Sequence, residues 1–380
     1  MLLDAQLNKD YFYNSKDHLK HELDLFLEQG AKHYTLLSNK AEDNVIEEIK
    51  ANKDVIINAT LYNHYADNLR KAIDSVFRHD DYSNILPYRL KGNLSQFAAY
   101  KAYHATQQIL TADDDNARKV LHKFNRYQAA EYNTAVARSR TAKQFTEFNQ
   151  SDHKRLFPNL RWLPSRSANI RQEHAAFYNR VWSKDDPFWN SNQPGCLWNC
   201  KCDWQETNDP VTDGNPATKI HAKGLDGNPA VTGEIYSDES TYIAQAPKGE
   251  DINKNITKVI RDITQDWLFS RRDLYTFKHP SIDDDIKLSG KGIKKLCSSF
   301  QAEHFTRFEL IKDIDNIIKE SEYIGYNTYK KRNSYYFKTK IAMYDNLAKK
   351  DVIYYAIVLK DINGFWIYTL TPNLGKNLKK

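Results

Sequence analysis

Five of the seven tryptophans fall between Trp162 and Trp204, a span that Pro158, Pro164, Pro187 and Pro194 border or interrupt. Proline removes a backbone donor and fixes φ, so no long helix or central strand runs easily through such a stretch. Each indole nevertheless carries a large apolar surface that has to be covered. Residues 151–205 therefore read as a loop-rich unit that buries its rings, the preceding helix being the nearest wall.

The residues before this unit, 1–150, read as helical. Leu61, Tyr65, Leu69, Ala72 and Val76 recur at three- and four-residue spacing, which places them on one helix face. Asp113, Asp114 or Asp115 can cap a long helix predicted from Asn116 to Phe148. After the unit, Gly214-Asn215-Pro216, Gly227-Asn228-Pro229 and Ala246-Pro247 punctuate residues 206–252, which are expected as an extended arm or linker.

Residues 253–278 predict a helix and 280–371 a compact α+β unit. Leu310, Ile314, Ile317 and Ile318 mark an amphipathic helix, and Ser334–Ile341, Val352–Leu359 and Phe365–Leu370 are strand-like. Asn363-Gly364 between the last two is a hairpin turn signal. The expected class is α+β and multidomain: a mostly helical N-terminal and central region, then a small C-terminal helix plus antiparallel-sheet domain.

Charge is unevenly spread. Residues 251–380 hold 24 Lys and Arg against 16 Asp and Glu, a net of +8, whereas residues 1–250 hold 31 against 33, a net of −2. An anionic partner is therefore to be sought at the C-terminal third. No window reaches the ~18 apolar residues of a bilayer span, and the opening residues lack a secretory pattern, so no membrane partner is expected.

Three of the four cysteines cluster at Cys196, Cys200 and Cys202, a poor fit to a disulfide framework. With His174 they make a candidate zinc set, one imidazole and three thiolates suiting tetrahedral coordination. The alternative is that the thiols are small buried hydrophobes.

The pieces AAEYNTAVARSRTAKQF (Ala129–Phe145), FPNLRWLPSRSANIRQEH (Phe157–His174), DDPFW (Asp185–Trp189) and WNCKC (Trp198–Cys202) stand in order, followed by GNPAVTGEIYS (Gly227–Ser237). Together they resemble the phage Mu F-type minor head family. The resemblance implies a minor capsid component near the portal, active in head assembly or DNA delivery, with portal and capsid proteins as partners. It also implies a place in the virion, in the capsid interior or beside the portal, and in the host cytoplasm during assembly. Where the family carries an aspartate ahead of its Arg-x-x-His, this chain has Pro164, Ser165 and Arg166. The motif also has a physical reading: Asp185 and Asp186 can cap or turn the chain and pair with Arg166 and Arg171, while Phe188 and Trp189 anchor it.

A second likeness covers KLSGKGIKKLCS (Lys287–Ser298), the helix FELIKDIDNIIKESEYIG (Phe308–Gly325), YYFKTKI (Tyr335–Ile341) and GFWIYTL (Gly364–Leu370). These resemble the barnase/EndoU/colicin/RelE-like nuclease domains attached to phage head proteins. The resemblance implies metal-independent RNA cleavage, with a base on the ribose 2′-OH and cations on the phosphate. His304, beside Glu303, is then the acid/base candidate, Lys294 a phosphate contact, and Tyr368, Thr369 or Thr371 orienting groups. Lys291, Lys295, Lys330, Lys331, Arg332, Tyr335 and Lys338, with Tyr336 and Lys340, interleave cations and rings as a single-strand nucleic-acid groove would. The same residues also read as a solvated lysine loop and a strand core face.

The sequence thus divides into a helical region (1–127), a minor head domain (128–205), an arm (206–252) and a nuclease-like domain (253–380). Two functions remain open. One is a head protein carrying a ribonuclease that needs no cofactor beyond a possible structural zinc, acts on RNA and calls for an inhibitor protein. The other is a purely structural capsid protein whose basic domain binds nucleic acid, the packaged DNA, without cleaving it.

Overall fold

The computed structural model describes residues 34–165, 172–247, 250–298, 304–329, 332–345, 350–362, 364–371 and 378. The first layer consists of α1 (Asn39–Ala51), α2 (Ala59–Asp74), α3 (Leu86–Thr111), α4 (Asp114–Arg126) and α5 (Gln128–Phe148). Asn58 caps α2 by accepting from the Leu61 amide at 3.0 Å, and the face predicted from spacing is the buried one. Helix α3 is apolar or small nearly all round, from Leu90 and Leu94 through Ala98, Ala99, Ala102 and Ala105 to Ile109, and forms the centre of the layer.

The single helix expected over Asn116–Phe148 is two helices that meet at Tyr127. Asp113 caps the first, accepting from the Asn116 amide at 2.9 Å. No glycine or proline marks the join. The bend lets Leu121 and Phe124 of α4 and Tyr132, Ala135 and Val136 of α5 reach the same core.

After the short helix α6 (Ser151–Leu156) come three antiparallel strands, β1 (Asn159–Leu163), β2 (Val181–Ser183) and β3 (Asp203–Thr207), in the order β2-β1-β3. Lys184, buried beside them, donates to the Phe148 carbonyl at 2.6 Å and to Glu206, tying this sheet to the end of α5. Between β3 and residue 247 the described residues carry two four-residue helices, α7 (Pro229–Thr232) and α8 (Thr241–Ala244). They are laid across the helical layer: Leu225, Ile235 and Tyr236 are fully buried in its core. Asn93 of α3 holds this strap, donating to the Tyr236 carbonyl at 2.8 Å and accepting from the amides of Ile235 and Tyr236.

The C-terminal part begins with α9 (Glu250–Ser270), shorter than the predicted 253–278, because the chain turns at Tyr275 into β4 (Thr276–His279) and β5 (Ile282–Leu288). Helices α10 (Gly290–Ser298), α11 (His304–Lys312) and α12 (Ile314–Lys319) follow, then β6 (Glu322–Tyr329), β7 (Arg332–Asp345), β8 (Lys350–Asp361) and β9 (Gly364–Thr371). The helical motif quoted to Gly325 stops at Lys319, and its last residues form β6, where Gly325 sits at a bulge with φ of 126°. The six strands run β4-β5-β9-β8-β7-β6; β5 and β9 are parallel and the remaining pairs antiparallel. Helices α10 to α12 cover one face through Ile293, Leu296, Leu310, Ile314 and Ile318, packed over Ile286, Phe337, Ala356, Val358 and Ile367.

Helix α11 also packs against α3. A Cβ on Gly92 would lie 2.5 Å from the Thr306 amide nitrogen, so only glycine permits this approach. Arg70 of α2 donates from Nε and Nη2 to Glu309, which also accepts from Ser95 and Lys312. No helix among the described residues is long and apolar enough to cross a membrane.

Candidate metal centre and nucleic-acid face

The crowded rings of the central unit pack chiefly on one another. Trp182 stacks on Phe188 at 4.2 Å, Trp162 lies parallel to Trp189 at 6.2 Å, and Trp204 stacks on Phe145 of α5 at 5.6 Å. Trp198 departs from the group and stacks on Tyr236 of the strap. The Asp186 side chain caps the turn at Pro187 by accepting from the Phe188 amide at 2.9 Å, and Asp185 pairs with Lys154. Arg166 and Arg171, expected as partners of these carboxylates, lie outside the described residues.

Within this aromatic shell sits His174, fully buried on a 3₁₀ turn and edge-on to Trp162 at 5.1 Å. The loop before β3 passes through left-handed backbone at Gly195 and Asn199, which turns its cysteines inward. Cys200 and Cys202 lie 3.6 and 3.4 Å from His174 Nδ1, and the three ligand atoms fall within 4.8 Å of one another. Cys196 does not join them. It lies 3.5 Å from the opposite nitrogen, Nε2, and donates to the Ile220 carbonyl.

The four-residue set expected from the sequence is therefore split into three converging donors and one thiol that orients the imidazole. That division matches a metal ligand with its outer partner. Three donors leave one position of a tetrahedral ion open. The hydroxyl of Tyr178 and the indole nitrogen of Trp162 are buried without a hydrogen-bond partner among the described residues.

The electrostatics suit a cation. The Cys200 thiol is drawn well below its ordinary range, first by its hydrogen bond with Cys202 and, against the effect of burial, by His174. Cys202 is pushed up by the same shared proton and by burial. Burial pulls His174 down, but hydrogen bonds and charge from Cys196 and Cys200 more than offset it, raising it to about 10. One proton is thus shared between the two thiols and His174 holds another, so a metal ion would have to displace both before two thiolates and the imidazole nitrogen could hold it.

The C-terminal candidates are not gathered at one point. Lys291, Lys294 and Lys295 are exposed on α10, on the side of the sheet that helices cover. Lys338 is exposed on β7 next to the inward Phe337, and so faces the opposite side. Tyr335 turns toward the helices, packing on Tyr323, Tyr326 and Phe365. Thr369 is buried and Tyr368 half-buried in β9. His304 opens α11 and Arg332 opens β7, but their side chains, like all of Lys330 and Lys331, lie outside the described residues.

Sequence reasoning named Tyr336 and Lys338 but missed the rest of the sheet's open face, Lys287, Tyr355 and Trp366. Lys287, Trp366, Leu359 and Ser334 form one row across β5, β9, β8 and β7, with Tyr336 opposite Ile357 and Lys338 opposite Tyr355 in the next rows. Trp366, Tyr336 and Tyr355 are half-exposed there. The strand alternation that signalled a core face carried this second face as well.

Comparison with known proteins adds two likenesses. Residues 249–366 match the family described as Large polyvalent protein-associated domain 3. Over 145 residues the chain is 28% identical to "Putative capsid assembly protein F" of Escherichia phage Mu, a match covering 36% of this chain and 32% of that protein. The chain therefore spans about a third of the length of the curated relative it matches. No solved structure matches it.

Proposed function

We propose that this chain is a head-associated protein of a phage or integrated prophage that works in capsid assembly, with portal and capsid proteins as its partners. Its likeness to the phage Mu protein carries the reading. The aromatic, cysteine-bearing unit gives such a protein a rigid contact body, with zinc held by His174, Cys200 and Cys202 as its staple. Mass spectrometry of gradient-purified particles tests the assignment. The chain is expected to sediment with heads; recovery only among unassembled soluble proteins of the same lysate would overturn it. Metal analysis of the purified full chain tests the staple, with one zinc per chain expected and loss of it in Cys200→Ser.

The C-terminal sheet is read as a nucleic-acid contact. Binding is favoured over RNA cleavage because, of the expected catalytic set, Lys294 stands on the helix-covered side of the sheet and Thr369 is buried, whereas the open face offers rings and cations. Stacking on Trp366, Tyr336 and Tyr355, with Lys287 and Lys338 on phosphates, needs no acid/base pair. Salt-sensitive binding of single strands by the full chain, weakened in Trp366→Ala, is the expected outcome. Cleavage of RNA in EDTA would replace the binding reading with the nuclease one.

A further inference from the structure

A cavity of about 540 Å³ lies beside the join of α4 and α5, with Trp198 of the cysteine-bearing loop as one of its walls. Its walls are Phe97, Phe124, Tyr127, Trp198 and Tyr242, with His104, Gln108, Lys123, Glu131 and Gln245 among the polar groups. A chamber of this size, ringed by aromatic side chains with a few polar groups, has the composition of a small-molecule site. Tyr127, at the join of the two helices, is 45% exposed at its edge, and α8 of the strap forms the wall opposite.

The charges decide what it would take. An aromatic box with a carboxylate could in principle hold a cation. Here, however, Glu131 is already engaged: it pairs with the buried Lys101 and accepts from the Tyr242 hydroxyl at 3.0 Å. That pair is neutral. His104 donates from Nε2 to the Tyr242 carbonyl at 2.8 Å, and burial lowers its pKa, so it is neutral with Nδ1 left as an acceptor. Lys123, exposed on the last turn of α4, then makes the cavity net positive. The two glutamine amides offer both donors and acceptors to a ring edge.

We propose that this cavity binds a planar nitrogen heterocycle bearing an anionic group, of the size of a nucleoside monophosphate. The ring stacks among Tyr127, Trp198 and Tyr242, Gln108, Gln245 and His104 meet its edge, and Lys123 meets the anion.

The full chain would be titrated with adenosine monophosphate, with adenosine and with phenyltrimethylammonium, followed by calorimetry and by tryptophan fluorescence. Saturable binding of the monophosphate is expected, with adenosine weaker by about fivefold, the worth of one partly exposed ion pair, and the cation not bound. Ala130→Leu, a change tolerated by a helix, sets a larger side chain into the chamber wall and is expected to weaken monophosphate binding about tenfold at an unchanged melting temperature. Lys123→Ala is expected to bring the monophosphate down to the affinity of adenosine. Tighter binding of the cation, monophosphate binding unchanged in Ala130→Leu, or no binding of the monophosphate would each overturn the proposal.

Discussion

At the scale of single residues, the most consequential group is a carboxylate with no motif around it. Glu309 is buried 239 positions from Arg70, and the two meet through paired guanidinium hydrogen bonds of 3.0 and 2.7 Å. Burial alone would raise its pKa, but Arg70 and Lys312 more than offset this and hold it at about 2. Because the folded value lies below the unfolded one, its stabilising contribution is complete above the ordinary carboxylate pKa. It is lost as pH falls toward about 2. Glu309→Gln leaves the half-buried Lys312 without its counter-charge and Arg70 with Asp67 alone, and should cost about 2–4 kcal/mol at neutral pH. The acid slope of the urea midpoint between pH 5 and 2 should flatten in the same variant, as is ordinary when one depressed carboxylate is removed. A neutral-pH midpoint equal to that of the wild type would mean that the pair does not hold α11 in place. None of this was legible in the sequence, since an ion pair between distant helices leaves no periodic trace. His174 with Cys200 and Cys202 was legible because their chemistry is rare. The exclusion of Cys196 was not, because it depends on which ring nitrogen each sulfur meets.

Among the elements, those read best were the ones whose neighbours are close in sequence. The strands β7 to β9 announced themselves by alternation and by the Asn363-Gly364 turn, and Gly364 does pair with Asp361 across the hairpin with φ of 116°. The join at Tyr127 was missed because a bend made by packing needs no breaker residue. So were β4 and β5, whose run Asp283-Asp284-Asp285 hides the inward Ile282, Ile286 and Leu288. The pairing of α3 with α11 was equally hidden, although it turns on one small residue. Gly92→Ala sets a methyl group against backbone that has no room for it, so α11 must shift, at roughly 1–3 kcal/mol. Thermal melts of the alanine variant and of Gln96→Ala on the same helix would separate this clash from a general effect on α3; equal melting temperatures would show that the contact yields freely. For the strap, Asn93→Ala removes three hydrogen bonds to buried backbone and strands two amides and a carbonyl. At about 1–3 kcal/mol for each unsatisfied group, release of the segment around Ile235 is expected before global unfolding. Hydrogen exchange should report it as faster exchange at residues 225–240 alone, and protection equal to the wild type there would count against the strap.

For the molecule as a whole, the question is whether the C-terminal sheet is a passenger on the helical region or part of the same cooperative body. Its composition favours a passenger, since the positive charge begins near residue 251 and the family likeness begins at 249. The packing argues the other way. Ile256 and Ile260 of α9 and Phe308 of α11 are buried in the helical core, whereas Leu310, Ile311 and Ile314 face the sheet. Helix α11 thus serves two cores; Arg70 and Ser95 fix its polar side through Glu309, and Tyr88 donates to Asp313 just beyond its end at 2.5 Å. Cutting the chain before α9 would expose apolar surface on both products and leave Glu309 and Arg70 without each other. Separately expressed residues 1–249 and 250–380 are therefore expected to melt well below the intact chain, or to aggregate, and to regain the intact transition when mixed. Calorimetry decides: a fragment 250–380 that melts within a few degrees of the whole chain would make the sheet an independent passenger. If instead the two parts fold as one, any nucleic acid held on the open face of the sheet would be held by the same rigid body that carries the proposed head contact. Capsid contact and nucleic-acid contact would then be coupled through α11 rather than through a flexible tether.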